Sequence, residues 1–211
     1  RCIHNRRIDV SAAFFIELEF QETGYVVYRL HRAAFGTLPG GPTRANVLFT
    51  RFMADRSQLV AGPGLPQSTI TLANNFVQRA EFLLAYPSNL SNEQFVNTLF
   101  DRASLTPFTT EREQQIDAMT NNGKTRAQVL LDVIEIPAFK TGEYNGAFVL
   151  MQYFGYLRRD PDQGGYDFWL GVLNNQELNN YRGMVCAFLT SAEYQHRFGT
   201  TVTRTDRDCG P

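Results

Sequence analysis

Aromatic and aliphatic positions recur along this chain in two alternating kinds of segment. The first kind reads SAAFFIELEF (Ser11–Phe20), NNFVQRAEF (Asn74–Phe82), LLDVIEIPAF (Leu130–Phe139) and VCAFLTSAEY (Val185–Tyr194). With Phe20, Phe82, Phe139 and Tyr194 in register, Phe14, Phe76, Val133 and Phe188 stand together upstream. The register returns roughly every 55–62 residues, the mark of an internal repeat. The second kind follows the first three copies: GYVVYRLHRAAFG from Gly24, NEQFVNTLFDRAS from Asn92 and YNGAFVLMQYFGYLRR from Tyr144. Tyr25, Phe95 and Phe148 align there, each followed by Val26, Val96 and Val149, with Leu30, Phe100 and Tyr153 further on. Apolar residues at such spacings form one face of a helix and do not alternate as a strand would, so both kinds of segment are predicted helical.

A third, more polar helix is expected between these pairs, over Thr43–Ser57, Thr109–Asn121 and Gly165–Asn174. Pro42 opens the first, Thr110 and Glu113 form a capping-box pattern in the second, and Asp160-Pro161-Asp162 precedes the third. Gly123 closes the second. Gly and Pro in Leu38–Pro42 and Ala61–Pro66 mark loops. The pattern predicts an all-α protein, a compact bundle or short array of about ten helices built from three degenerate three-helix repeats. Residues 1–66 form the degenerate first repeat, 67–198 two further repeats, and 199–211 an irregular C-terminal tail.

Composition sharpens this picture by exclusion. The chain has 211 residues, 43% of them apolar, enough for a core that needs no metal or disulfide merely to hold it. Lys and Arg number 20 against 21 Asp and Glu, so the basic excess that nucleic-acid or acidic-membrane binding requires is absent. No apolar run approaches the ~18–20 residues of a membrane-spanning helix. The 17 Phe, 9 Tyr and 1 Trp read as core repeated in each unit, not as a stacking platform. The sequence opens on Arg1 rather than Met, which carries the expectation of a cut N-terminus.

The stretch from Phe95 through Phe198 resembles a bacterial family of domains of unknown function, number 4214, found in large secreted and surface-attached proteins. The resemblance rests on Phe148-Val149, on Gly155-Tyr156-Leu157-Arg158-Arg159-Asp160-Pro161-Asp162, on Gly165-Tyr166-Asp167-Phe168-Trp169 and on Ser191-Ala192-Glu193-Tyr194. Asn122-Gly123-Lys124-Thr125-Arg126-Ala127-Gln128-Val129 matches the linking segment of the preceding unit. Phe108 and Thr109 stand where that unit would carry its Pro-Asp turn, and Pro137 replaces the Ser of its ending. The family is similar to the helical linker domain of phycobilisomes, which implies a bundle that holds other proteins in place. It brings no catalytic residues with it.

Candidate chemistry is sparse. Asp160, Asp162 and Asp167 resemble the start of a calcium loop, but Gly171 stands where its bidentate Glu belongs, and a capping role for Asp162 competes. Glu19, Glu81 and Glu193 recur beside aromatics and are expected to bond helix N-termini or pair with Arg. His4, His31 and His196 are scattered, on faces read as polar, and no zinc-peptidase, redox, haem or phosphate-loop motif accompanies them. The three cysteines, Cys2, Cys186 and Cys209, point to an oxidising compartment. Cys186–Cys209 is the first expected pairing and Cys2–Cys209 the alternative.

These readings together predict a non-catalytic helical module, extracellular or on a bacterial cell surface. It would contact other proteins, either copies of itself or the rest of a larger parent chain, with no nucleic-acid partner and no membrane span. No cofactor is expected beyond the calcium option. A calcium-dependent adhesion module and a hydrolase with a dispersed site, needing His31 or His196 against a carboxylate in a cleft, are the alternatives.

Overall fold

A computed structural model describes residue 10 and residues 22–38, 44–105 and 110–209. Ser11–Phe20, the first copy of the repeat, lies outside the described residues, as do Cys2, His4 and Glu19. Among the described residues the secondary structure is helical, with one isolated antiparallel bridge between Thr37 and Ala45. None of these helices is long and apolar enough to cross a membrane. The chain divides into two compact units that part between Tyr144 and Asn145.

The first unit, residues 22–144, is organised around α1 (Gly24–Phe35). It also contains α2 (Phe49–Arg56), α3 (Leu65–Phe76), α4 (Ala80–Ala85), α5 (Asn92–Arg102), α6 (Thr110–Asn121), α7 (Arg126–Glu135) and α8 (Pro137–Gly142). Helix α1 packs on α2, α5 and α7, and α7 in turn meets α3, α5, α6 and α8. Every residue of α1 from Gly24 through Ala34 is buried, including two arginines and a histidine. Tyr86 stacks on Phe82 at 4.6 Å and meets Phe95 edge-on at 5.2 Å, while Phe76 lies 5.9 Å from Phe82. Each ring fully buried is worth roughly 1.5–3 kcal/mol.

The buried cations of α1 are matched to helix ends. Arg29 donates to the carbonyl of Ile134 near the end of α7, and to the Glu135 carboxylate at 2.7 Å. Arg32 donates to the carbonyl of Arg102, the last residue of α5, at 2.7 Å. Unpaired carbonyls at a helix C-terminus carry partial negative charge, so a guanidinium there satisfies acceptors and opposes the dipole at once. Tyr25 donates to the Lys140 carbonyl of α8, and Tyr86 reaches the Ala34 carbonyl at 2.7 Å. Burial drives the Tyr25 hydroxyl far above its ordinary pKa and that of Tyr86 up to about 12.

In the second unit, the described residues 145–209 begin in α9 (Tyr144–Gln152), which continues into a π-helical turn over Tyr153–Leu157. Helix α10 (Gln163–Gly171) likewise runs into a π-helical turn, Val172–Gln176. Helices α11 (Tyr181–Thr190) and α12 (Ala192–His196) follow, and a terminal 3-10 turn, Asp206–Cys209, packs back on α11.

The repeat register coincides with the core. Phe76, Phe82, Val133, Phe139 and Phe188 are buried, as are Tyr25, Phe95, Phe148 and the valines and aromatics aligned behind them. Three expectations are corrected. The segments read as single helices are each broken near their terminal aromatic, giving α3 and α4, α7 and α8, and α11 and α12. Pro137 cannot continue the ladder of α7 and instead opens α8, and Ser191 leaves helical geometry to cap α12. The helix expected over Thr43–Ser57 begins only at Phe49, because backbone groups before it are committed elsewhere: Leu38 donates to Arg44 and Asn46 to Gly36. Finally, the tail is irregular only to Thr205 and then forms the 3-10 turn.

Candidate functional site

Several residues of the family-like pattern lie in the second unit, where their contacts tie turns and helix ends together. Arg158 ends the π-helical turn in the left-handed region, at φ 59°, and turns the chain toward α10. Arg159 then forms a two-pronged pair with Glu193 of α12, Nε to Oε1 at 2.6 Å and Nη2 to Oε2 at 2.8 Å, and donates through Nη1 to the Asp160 carbonyl. The pair raises the pKa of Arg159 and lowers that of Glu193. Asp162 caps α10 by accepting from the Gly165 N–H at 2.8 Å, and Ser191 caps α12 by accepting from Tyr194 at 3.2 Å. Gly165 is required by proximity: a Cβ there would collide with the Tyr153 hydroxyl.

This geometry places the three calcium candidates apart in role. Asp162 is the helix cap, Asp167 accepts from Gln163 at 2.8 Å, and Asp160 offers its carbonyl to Arg159. Among the described residues no three His, Cys, Asp or Glu side chains are grouped as metal ligands. The recurrent glutamates pair with arginines, Glu193 with Arg159 and Glu81 with Arg51 of α2.

The linking segment of the first unit is used in the same way. Thr125 and Gln128 form a complete capping box at the start of α7. Arg126 reaches three carbonyls in the preceding turn, Tyr86 at 2.8 Å, Pro87 at 3.1 Å and Leu90 at 3.4 Å, and lies 4.9 Å over the Phe95 ring. Ser91 and Gln94 make the corresponding box on α5.

One cluster in the first unit was misread from the sequence. His31, assigned to a polar face, is 2% exposed, and so is Asp55 of α2. His31 Nε2 lies 2.7 Å from Asp55 Oδ2, and Arg79 holds both Asp55 oxygens at 2.8 and 2.6 Å. Burial works to raise the pKa of Asp55, but the His31 and Arg79 hydrogen bonds outweigh it and bring it down to about 2. Burial lowers that of His31, against the pull of Asp55. A neutral imidazole donating to a carboxylate that is already paired with Arg79 is the consistent state. The His–carboxylate pair that a dispersed hydrolase would need therefore exists, but it lies under Phe35 and Phe76 rather than in a cleft. His196 is exposed on α12.

Of the cysteines, Cys186 of α11 and Cys209 of the terminal turn lie at bonding distance, Sγ to Sγ 2.07 Å, with Cα atoms 5.7 Å apart. The alternative pair involves Cys2, which is outside the described residues. In the second unit, Leu189, Tyr194 and Phe198 line an open groove of about 460 Å³ whose other wall is the tail. Nothing in the local pattern announced this groove, since its far wall is set by where the tail returns.

The fold and its motif contacts define the class: an all-helical scaffold in which the motif side chains cap helices and tie helix ends together. A family model described as Domain of unknown function (DUF4214) matches residues 137–198. It begins where α8 begins and runs to the end of the turn after α12. No curated protein and no solved structure matches the chain.

Proposed function

We propose that this protein is a non-catalytic helical module, extracellular or attached to a bacterial cell surface, that holds other proteins in place. The observation that carries the reading is the employment of the motif residues. Thr125, Gln128, Asp162 and Ser191 close helix N-termini, while Arg126 and the Arg159–Glu193 pair fasten loops and helix ends. Side chains engaged in this way define a rigid frame and leave the exposed residues to vary with the partner. Exposed aromatics supply contact area on the second unit, Phe168 at 58% and Phe198 at 73%. The Cys186–Cys209 pair fits a compartment where thiols oxidise.

The test is crosslinking of the protein in its source cells, followed by mass mapping of crosslinked peptides and of cysteine state. The reading expects crosslinks from lysines of this chain to other surface proteins or to further copies, with Cys186 and Cys209 joined. Recovery from the cytosol with both thiols free, and no crosslinked neighbour, would sink it.

A further inference from the structure

We propose that Asn122 is a self-modifying site, an asparagine whose side-chain amide is lost to attack by the backbone nitrogen of Gly123. The chain contains two Asn-Gly pairs, Asn122-Gly123 and Asn145-Gly146, and the fold treats them oppositely. The first lies in the exposed turn between α6 and α7. The Asn122 and Lys124 N–H groups both donate to the Ala118 carbonyl, at 3.2 and 3.0 Å, and close the end of α6. Between them the Gly123 N–H has no acceptor among the described residues. Gly123 stands at φ 68°, and a Cβ there would meet no atom within 4 Å, so the approach to its nitrogen is open. The Asn122 side chain is exposed, and its Nδ2 reaches Asp117 Oδ2 at a long 3.4 Å.

Asn145 is the opposite case. Its Nδ2 donates to Asn174 at 2.7 Å and to Asn179 at 3.2 Å, and its Oδ1 accepts from the Tyr181 hydroxyl at 2.6 Å. Gly146 is buried within α9, where the backbone is fixed in helical geometry. An amide clamped at both ends does not swing onto the nitrogen that follows it. Intramolecular attack is fast where the reacting atoms can meet and slow where they are held apart, so the fold selects Asn122.

The chemistry needs water and nothing else. Solvent base removes the Gly123 amide proton, and the nitrogen forms a bond to Asn122 Cγ, closing a succinimide ring. The Cγ–Nδ2 bond breaks and Nδ2 leaves as ammonia, taking up one proton from solvent. Water then opens the ring. Hydrolysis at the side-chain carbonyl leaves an aspartyl residue at position 122, and hydrolysis at the backbone carbonyl leaves an isoaspartyl one, with the chain running through Cβ. In sum one water is consumed and one ammonia released, with no redox change. Either product puts a carboxylate beside Asp117 at the C-terminal end of α6, where the helix dipole disfavours an anion. The isoaspartyl form also lengthens the turn that sets Lys124 against Ala118. Met119 is the buried residue of α6, so little apolar burial opposes fraying from that end, and the modification loosens it.

The test incubates the folded full chain in mildly alkaline buffer and follows tryptic peptides 113–124 and 141–158 by mass, with fragmentation to assign the site. A gain of one mass unit should build up at Asn122 about tenfold or more faster than at Asn145, and an isoaspartyl methyltransferase should label the first peptide. In the urea-unfolded chain the two sites should react at similar rates, since the fold is what separates them. Asn122→Gln should suppress the gain at position 122, because its longer side chain closes a less favourable ring. Asn122→Asp, which supplies the charge directly, should speed hydrogen exchange at the Lys124 amide by about threefold or more while amides within α7 keep their protection. Equal rates at Asn122 and Asn145 in the folded chain would overturn the proposal, as would an Asn122 that stays intact when folded and is converted when unfolded. Unchanged exchange at Lys124 in Asn122→Asp would overturn the loosening of α6.

Discussion

Replacing Asp55 by Ala removes the one anion that His31 and Arg79 share inside the first unit. The carboxylate is 2% exposed, and its oxygens lie 2.6 to 2.8 Å from three nitrogens on two other segments. Breaking a buried pair from one side usually costs about 3–5 kcal/mol, most of it the penalty for the charge left behind. Here the Arg79 side chain keeps 15% of its surface in water and rests 4.7 Å over the Phe76 ring, so part of that penalty is relieved. The expected loss is therefore about 3 kcal/mol, at the lower end. Helix α2 should feel it most, because Phe52 and Asp55 are its buried residues. In a urea titration followed by circular dichroism, a loss of about 3 kcal/mol moves the midpoint by about 1–2 M for a typical slope.

A double-mutant cycle separates this account from simple loss of packing. Arg79→Met removes the stranded cation while keeping its volume, so Asp55→Ala with Arg79→Met should be less destabilised than the sum of the single variants by about 1.5–3 kcal/mol. A loss under about 1 kcal/mol for Asp55→Ala, or strict additivity in the cycle, would refute the reasoning.

Three further outcomes follow from the same contacts. Both His31 and Asp55 bind protons less readily folded than unfolded, so acid should destabilise the first unit in two stages. One stage lies below pH 6.5 as His31 charges, and a second, of about 2 kcal/mol, lies between pH 3.8 and 2 as Asp55 protonates, read as the urea midpoint against pH. Gly165→Ala should cost about 1–3 kcal/mol through collision with Tyr153, whereas Gly164→Ala, whose Cβ meets Asp162 at an ordinary 3.7 Å, should be neutral or better in thermal melts. Arg126→Met should cost about 2 kcal/mol and speed exchange of the Leu90 amide, and Arg126→Lys should not restore it, because a point charge cannot span three carbonyls.

The aromatic register was readable because burial of equivalent rings is a local property. Phe76, Phe82, Phe139, Phe95 and Phe148 had only to recur at helical spacings to reveal a face, and all are buried. The breaks inside those segments were only partly readable. In the sequence Pro137 reads as a substitution in a motif, whereas in the structure it opens α8, and the extended Arg79 carries no signal of a break. His31 was misplaced because its partner Asp55 is 24 residues away on a helix whose start was itself misjudged. Arg29 shows the general obstacle. One of its acceptors is a backbone carbonyl 105 residues away, and a carbonyl has no letter in the sequence. Spacing rules find pairs of side chains; they do not find a cation that serves the end of another helix.

That obstacle bears on how a helical module of this kind is assembled. Short helices expose many unpaired carbonyls relative to their length, and burying them without partners would forfeit the gain from the aromatic core. The chain answers with arginines: Arg29 at the end of α7, Arg32 at the end of α5, Arg126 at the turn after α4, and Arg197 at the Tyr156 carbonyl in the π-helical turn. Each joins segments distant in sequence, so the polar contacts that satisfy helix ends also fix which helices are neighbours. Apolar packing between similar rings on repeated helices would tolerate more than one pairing of repeats. A guanidinium that must find one particular helix end does not, and this makes the arginines the residues that select a single arrangement within each unit.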